Sequence, residues 1–258
     1  MILKVSDLYV SFDKNVLKGI SFEIPKGKIL AVVGGSGSGK TVTGLTVMGL
    51  IKWYNGKIDS GEIIFEGKDK TADIIKLSEK ELEKIRGKEI SMIFQNPQSS
   101  LNPIMKVGKQ LEEVLKNDNT KISREDIQIT ISEVFKSVGL TDTERICNSY
   151  PFELSGGMCQ RVMISISILS SPSLLIADEP TTFLDRETEV QILGILKNIN
   201  RERKMSIMFI THNLQAASEI ADMIAVMHNG EIVEIGETEK VFNYPEHPYT
   251  KRLIDSMY

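Results

Sequence analysis

The stretch Ile29-Leu30-Ala31-Val32-Val33-Gly34-Gly35-Ser36-Gly37-Ser38-Gly39-Lys40-Thr41 decides the fold. Five apolar residues read as a buried strand, the run after them matches the phosphate-loop pattern, and the residues beyond Thr41 suit a helix. A flexible Gly/Ser turn would share the composition but not that strand-loop-helix context. Glycines let the backbone curl so that successive N–H groups and the helix N-terminus face phosphate oxygens. Lys40 adds a point charge, and the Thr41 hydroxyl suits Mg2+. Gly34, Gly35, Ser36, Gly37, Ser38, Gly39, Lys40 and Thr41, with Thr43 just beyond, are the expected nucleotide contacts.

Ser173-Leu174-Leu175-Ile176-Ala177-Asp178-Glu179 reads as an apolar strand ending in two carboxylates. Side chains alternate along a strand, so the two acids are expected to do different work. Beside a phosphate loop, Asp178 suits the Mg2+ shell and Glu179 can hold and polarise an attacking water. Further strands are expected at 4–12, 16–24, 61–65, 89–94, 206–211 and 223–227. Ser78-Glu79-Lys80-Glu81 has capping-box spacing and should open a short helix. Residues 104–138 switch to helical spacing, with Val107, Leu111, Val114 and Leu115, then Ile127, Ile131, Val134 and Phe135, on single faces. After residue 173, strands alternate with helices at 187–203 and 214–221, which implies a parallel sheet and an α/β fold. Asn229-Gly230 marks a tight hairpin before residues 231–235.

At 258 residues the chain predicts one large domain or a domain with an insert. Its 31 Lys and Arg against 35 Asp and Glu give a net charge of −4, which disfavours a sequence-independent nucleic-acid binder. The longest uncharged stretch, 162–177, holds Pro172 and five serines and is too short to span a bilayer. Charge at Lys4 and Asp7 argues against a signal peptide, so a cytoplasmic location is expected. Cys147 and Cys159 lack a partner at ligand spacing and read as reduced thiols. The eleven methionines read as core filler.

Leu154-Ser155-Gly156-Gly157-Met158 resembles the signature sequence of ATP-binding cassette (ABC) proteins, and other family elements stand in order around it. Phe12 falls where that family stacks an aromatic ring on adenine, Gln95 resembles its Q-loop glutamine, Leu184-Asp185 its D-loop, and His212 its switch histidine. The resemblance implies a P-loop NTPase core with a parallel sheet, an N-terminal antiparallel β subdomain and an inserted α-helical subdomain. Core residues would be 1–95 and 156–235, the insert 96–155, and a C-terminal tail 236–258. It also implies ATP and Mg2+ as ligands, with Thr41, Gln95 and Asp178 at the metal. Glu179, His212, Lys40 and Gln95 would be catalytic. Ser155, Gly156, Gly157 and Asp185 would complete ATP binding across a head-to-tail pair of cassettes.

Asn96-Pro97-Gln98-Ser99-Ser100-Leu101-Asn102-Pro103 and His247-Pro248-Tyr249-Thr250 look like the ATPase subunits of bacterial oligopeptide, dipeptide and nickel importers. That branch implies two transmembrane permease subunits, an extracytoplasmic substrate-binding protein and a peripheral position on the cytoplasmic face of the membrane. Longer members carry a cysteine-bearing extension after the His-Pro-Tyr-Thr motif. Since none appears before Tyr258, no iron-sulfur cluster is expected, and the shortness leans slightly towards nickel or metal-chelate members. Two residues depart from the family pattern: Cys159 stands where Arg is common, and Phe183 where a small residue is. Either could alter the seam between cassettes, which leans towards a heterodimer. An exporter ATPase is the nearest alternative. A chromosome-maintenance ATPase fits poorly, because only 59 residues lie between Gln95 and Ser155 and they hold no sustained heptads. A translation-associated protein would normally carry two cassettes.

Overall fold

The computed structural model of the chain describes residues 1–68, 70–118 and 121–256. Asn119 and Thr120 of the expected insert, Met257 and Tyr258 of the tail, and the Gln98 side chain lie outside the described residues. β1 (Leu3–Ser11) and β2 (Asn15–Ile24) lead to β3 (Ile29–Val33), the glycine-rich loop and α1 (Lys40–Val47). β4 (Lys57–Glu66), β5 (Thr71–Asp73), α2 (Glu79–Ile85) and β6 (Ile90–Ile93) come next. The chain then forms α3 (Pro97–Ser100), α4 (Val107–Asp118), α5 (Arg124–Ser137) and α6 (Thr143–Asn148) before α7 (Gly156–Ile168) returns it to β7 (Leu174–Asp178). α8 (Arg186–Arg203), β8 (Ser206–Thr211), α9 (Leu214–Ile220), β9 (Met223–His228) and β10 (Glu231–Glu237) complete the alternation, and α10 (Thr238–Asn243) and α11 (Pro248–Asp255) make the tail.

β3, β6, β7 and β8 are buried along their whole length, as continuous apolar runs must be when both faces of a sheet are covered. They pair in parallel with β9, and antiparallel β10 closes one edge, giving the order β10-β9-β3-β8-β7-β6. Alternating burial along β1 instead marks a strand with one dry face. It sits in an antiparallel sheet ordered β2-β1-β4-β5. The parallel strands all end on the same edge, so the loops after β3, β6, β7 and β8 gather there.

Local signals translate directly. Ser78 and Glu81 form the reciprocal capping box at α2, with the Ser78 amide donating to Glu81 at 2.9 Å. Asn229 and Gly230 take φ of 50° and 85°, the left-handed pair that a two-residue hairpin turn requires. Two apolar clusters lie on opposite faces of the six-stranded sheet. One holds Leu30, Val32, Ile176, Met208 and Ile210 with the antiparallel sheet. The other joins Ala31, Ile93 and Phe209 to Leu101, Leu111, Ile131 and Phe135 of the helical insert, so that insert has no separate core. Phe135 is completely buried in it. Phe135→Ala is therefore expected to destabilise the chain by about 3–5 kcal/mol, read as a lowered midpoint in chemical denaturation.

Candidate active site

The loop between β3 and α1 is shaped by positions that only glycine can hold. A Cβ on Gly34 would lie 2.2 Å from the Met227 carbonyl oxygen at the end of β9. Gly37 and Gly39 adopt φ of 75° and 103°, in the left-handed region that glycine reaches without a steric penalty. Lys40, the first residue of α1, is only 6% exposed and donates from Nζ to the carbonyls of Gly34 and Gly35, both at 2.9 Å. Burial lowers its pKa below the ordinary lysine value, against the pull of Glu179 and Asp178. Ser38 Oγ is buried in the same loop with no hydrogen-bond partner, an acceptor or donor left over for a ligand.

Asp178 ends β7 and is 3% exposed, with its Oδ1 accepting from Thr41 Oγ1 at 3.1 Å. Burial pushes its carboxyl up to about 6; the Thr41 bond opposes this, while the nearby Glu179 charge adds to it. A hydroxyl beside a buried carboxylate that resists ionising alone is an oxygen-only donor set, which fits a hard divalent cation such as Mg2+. Glu179 does not continue the strand: its φ of 46° turns the chain into a left-handed step. The two acids therefore diverge by a backbone turn rather than by the simple pleat expected from the sequence. That turn aims Glu179 Oε2 at three neighbours. Thr182 Oγ1 donates to it at 2.8 Å and Gln95 Nε2 at 3.2 Å, and His212 Nδ1 stands 3.1 Å away.

Ser36, Gly37, Gly39, Lys40, Thr41, Gln95 and Glu179 line a cleft of about 230 Å3, with Val16 and Val42 as its apolar wall. Pockets that enclose a whole small ligand usually measure ~300–1,000 Å3, so this cleft is sized for part of a nucleotide. Phe12, Ser155, Gly156, Gly157 and Asp185 are not in its lining. Phe12 is 37% exposed just past β1. Ser155 caps α7, accepting from the Met158 amide at 3.3 Å, and Asp185 caps α8, accepting from the Thr188 amide at 2.9 Å. A Cβ on Gly157 would meet Thr188 Cγ2 at 2.9 Å, so the signature abuts the start of α8.

Thr43 corrects an expectation. It is fully buried, and its amide and its hydroxyl both donate to the Gly39 carbonyl, at 2.9 and 3.0 Å, so it braces the loop and presents nothing to a ligand. Cys159 corrects another: it is completely buried with Sγ donating to the Pro151 carbonyl at 3.3 Å, so it cannot touch a partner at a seam. Phe183 is 86% exposed at φ 68°. Sequence reasoning missed Val16, which carries no motif, and Thr182, whose only signal is its place three residues after Glu179. It also missed the function of Tyr249, whose hydroxyl oxygen accepts from the Gly35 amide at 3.0 Å.

The family model described as ABC transporter matches residues 17–182. The chain belongs to the ABC transporter family. It is an ATP-binding transport ATPase, and its α/β fold is that of the family's cassettes. It is 47% identical to the oligopeptide transport ATP-binding protein OppD of Bacillus subtilis over 99% of this chain and 72% of that one. It is 44% identical to the dipeptide transport ATP-binding protein DppD of Lactococcus lactis over 99% and 73%. Among solved structures, CbiO1 of Clostridium perfringens, described as part of the ABC transporter complex CbiONQ, superposes with TM-score 0.80 at 28% identity, covering 94% of this chain and 91% of that one. The ATP-binding cassette MJ0796, dimeric in a post-hydrolysis state with ADP and Pi, gives TM-score 0.78 at 27% identity over 92% and 99%.

The raised Asp178 carboxyl has a sign that can be tested in this cassette. Its folded pKa of about 6 lies above the unfolded value, so its contribution to stability is full below pH ~4 and lost as pH rises through about 6. Asp178→Asn in nucleotide-free protein should gain stability relative to the parent between pH 4.5 and 7.5, by on the order of 2–3 kcal/mol, in urea unfolding at the two pH values.

Proposed function

We propose that this cassette energises a bacterial importer of oligopeptides or dipeptides, with Glu179 activating the water that attacks the γ-phosphate of ATP. The observation that carries the chemistry is the convergence of Gln95, Thr182 and His212 on Glu179 Oε2, beside the Lys40 loop. A carboxylate held by three neighbours from separate loops keeps one rotamer, which is what a general base needs. His212 reaches the γ-phosphate from the end of β8. Lys40 leaves the Gly34 and Gly35 carbonyls to meet phosphate oxygens, and the amides of Gly37, Gly39, Lys40 and Thr41 receive the rest. Thr41, Asp178 and Gln95 would hold Mg2+, which would offset phosphate charge.

Ser155 and the amides of Gly156 and Gly157 form a second anion site at the start of α7, outside the cleft of their own chain. A partner cassette presents that site to ATP, with Asp185 near the seam and Phe12 on adenine. Exposed Phe183 favours a different ATPase subunit as that partner, since two identical protruding rings meeting at one seam would crowd. Residues 1–95 and 156–235 serve as the core, 96–155 as the insert that receives a helix from one of two permease subunits, and 236–258 as a tail. An extracytoplasmic binding protein delivers cargo, and the cassette works at the cytoplasmic face. Among the described residues no helix is long and apolar enough to cross a membrane, so separate subunits carry the path. The peptide cargo rests on relatives 41–47% identical over nearly the whole chain, named for oligopeptide or dipeptide transport. Nothing in those names favours nickel.

Glu179→Gln should bind ATP yet hydrolyse it 10²–10⁴-fold more slowly, roughly 3–5 kcal/mol of barrier, and accumulate as a dimer with its natural partner. Near-parental turnover would remove Glu179 from the role. Lys40→Ala should weaken ATP binding itself, measured by calorimetry. Purification from native membranes should bring permease and binding-protein subunits, and the reconstituted assembly should take up peptides rather than Ni2+.

A further inference from the structure

We propose that Tyr249 is a positioning residue for the phosphate loop, and that through it the C-terminal helix is coupled to nucleotide occupancy in the same chain. This rests on the reading of residues 34–41 as the ATP loop. Tyr249 stands 214 positions after Gly35, yet its phenol oxygen accepts the Gly35 amide at 3.0 Å. The Gly35 carbonyl in turn accepts from Lys40 Nζ at 2.9 Å and from the Ser38 amide at 3.3 Å. One residue of the loop is thus gripped from outside by the tail and from inside by the lysine. If the outer grip is lost, a partly buried N–H is left unpaired and the inner carbonyl is free to drift.

The ring that delivers the hydroxyl is stacked on one face, and the backbone that carries it is held by its own hydrogen bonds. It stacks on His228 at a centroid distance of 3.8 Å and 24° between planes. His228 ends β9, and the hairpin after it holds the same loop a second time, since the Gly230 amide donates to the Ser38 carbonyl at 3.1 Å. The Tyr249 amide donates to Nδ1 of His247, the cap of α11, at 3.1 Å. Just before it, Glu234 on β10 accepts the amides of Glu246 and His247 at 2.9 and 3.0 Å. β10, the tail turn and α11 therefore form one hydrogen-bonded unit whose hydrogen bond to the loop, among the described residues, comes through the Tyr249 phenol. Because binding couplings are reciprocal, a tail that orders the loop must itself be ordered when ATP orders the loop.

Tyr249→Phe removes the hydroxyl and keeps the ring on His228. In the full chain, ATP dissociation constants should rise about threefold to tenfold, the size of one neutral hydrogen bond. The nucleotide-free melting point should move by less than about 2 °C. Hydrogen exchange should show ATP-induced protection of the amides of residues 249–253 in the parent and its loss in the variant. An unchanged ATP affinity in Tyr249→Phe, or no ATP-induced protection of the tail in the parent, overturns the proposal. Lys40→Ala measured in parallel separates the two readings: if it binds ATP normally, the phosphate-loop assignment fails first. If it binds weakly while Tyr249→Phe binds normally, the coupling alone fails.

Discussion

An ammonium group taken out of water must be met by oxygen, and in this chain the oxygens that meet it are the carbonyls of Gly34 and Gly35. Lys40 is buried at the start of α1, and the loop before it curls tightly enough to lay two backbone carbonyls on its Nζ. That curl dictates the rest of the neighbourhood. Gly34 presses against the Met227 carbonyl of β9, closer than any side chain would allow. The Gly230 amide then reaches Ser38, and the tail reaches Gly35. The same edge of the sheet carries Asp178, Glu179, Gln95 and His212 on the loops after β7, β6 and β8. Two acids and one lysine, all partly or wholly dry, can share so small a space because each is held by hydrogen bonds from a different element.

Much of this was legible in the chain before folding, wherever the signal is local. The strand-loop-helix context of residues 29–41, the capping box at Ser78, the Asn229-Gly230 turn and the helical periodicity around Leu111 and Phe135 are each short-range rules. Lys40, Asp178 and Glu179 could be named from a loop motif and a strand end, whereas Gln95, His212 and the signature were named only through the family resemblance. What escaped is long-range or conformational. Tyr249 reaches the loop across 214 positions, and no spacing rule encodes that closure. Val16 lines the cleft as an ordinary aliphatic residue. Thr43 reads as a ligand contact, because sequence does not reveal that its hydroxyl turns back on Gly39. Glu179 parts from Asp178 for a different local reason than its position implies: the pleat suffices on paper, but a left-handed step does it.

The site is also divided in an instructive way. The phosphate loop, the acids, Gln95 and His212 lie together, whereas the signature and Asp185 pack against each other through Thr188. On the proposed reading these are two halves of a grip, and the signature does not line the cleft of its own chain. Burial sorts the two unusual residues accordingly. Cys159 is internal packing beside Pro151, and Phe183 is a free ring on the outside.

The helical insert shares one apolar cluster with the face of the parallel sheet that carries Phe209. A lever with its own dry interior could swing on its connections while the body stayed still. Here a tilt of α4 or α5 is passed to α7, on which both pack, and from α7 to β6, and close packing transmits that strain instead of absorbing it. A push delivered at the insert is therefore felt as shear beneath β6, the strand whose end leads into Gln95.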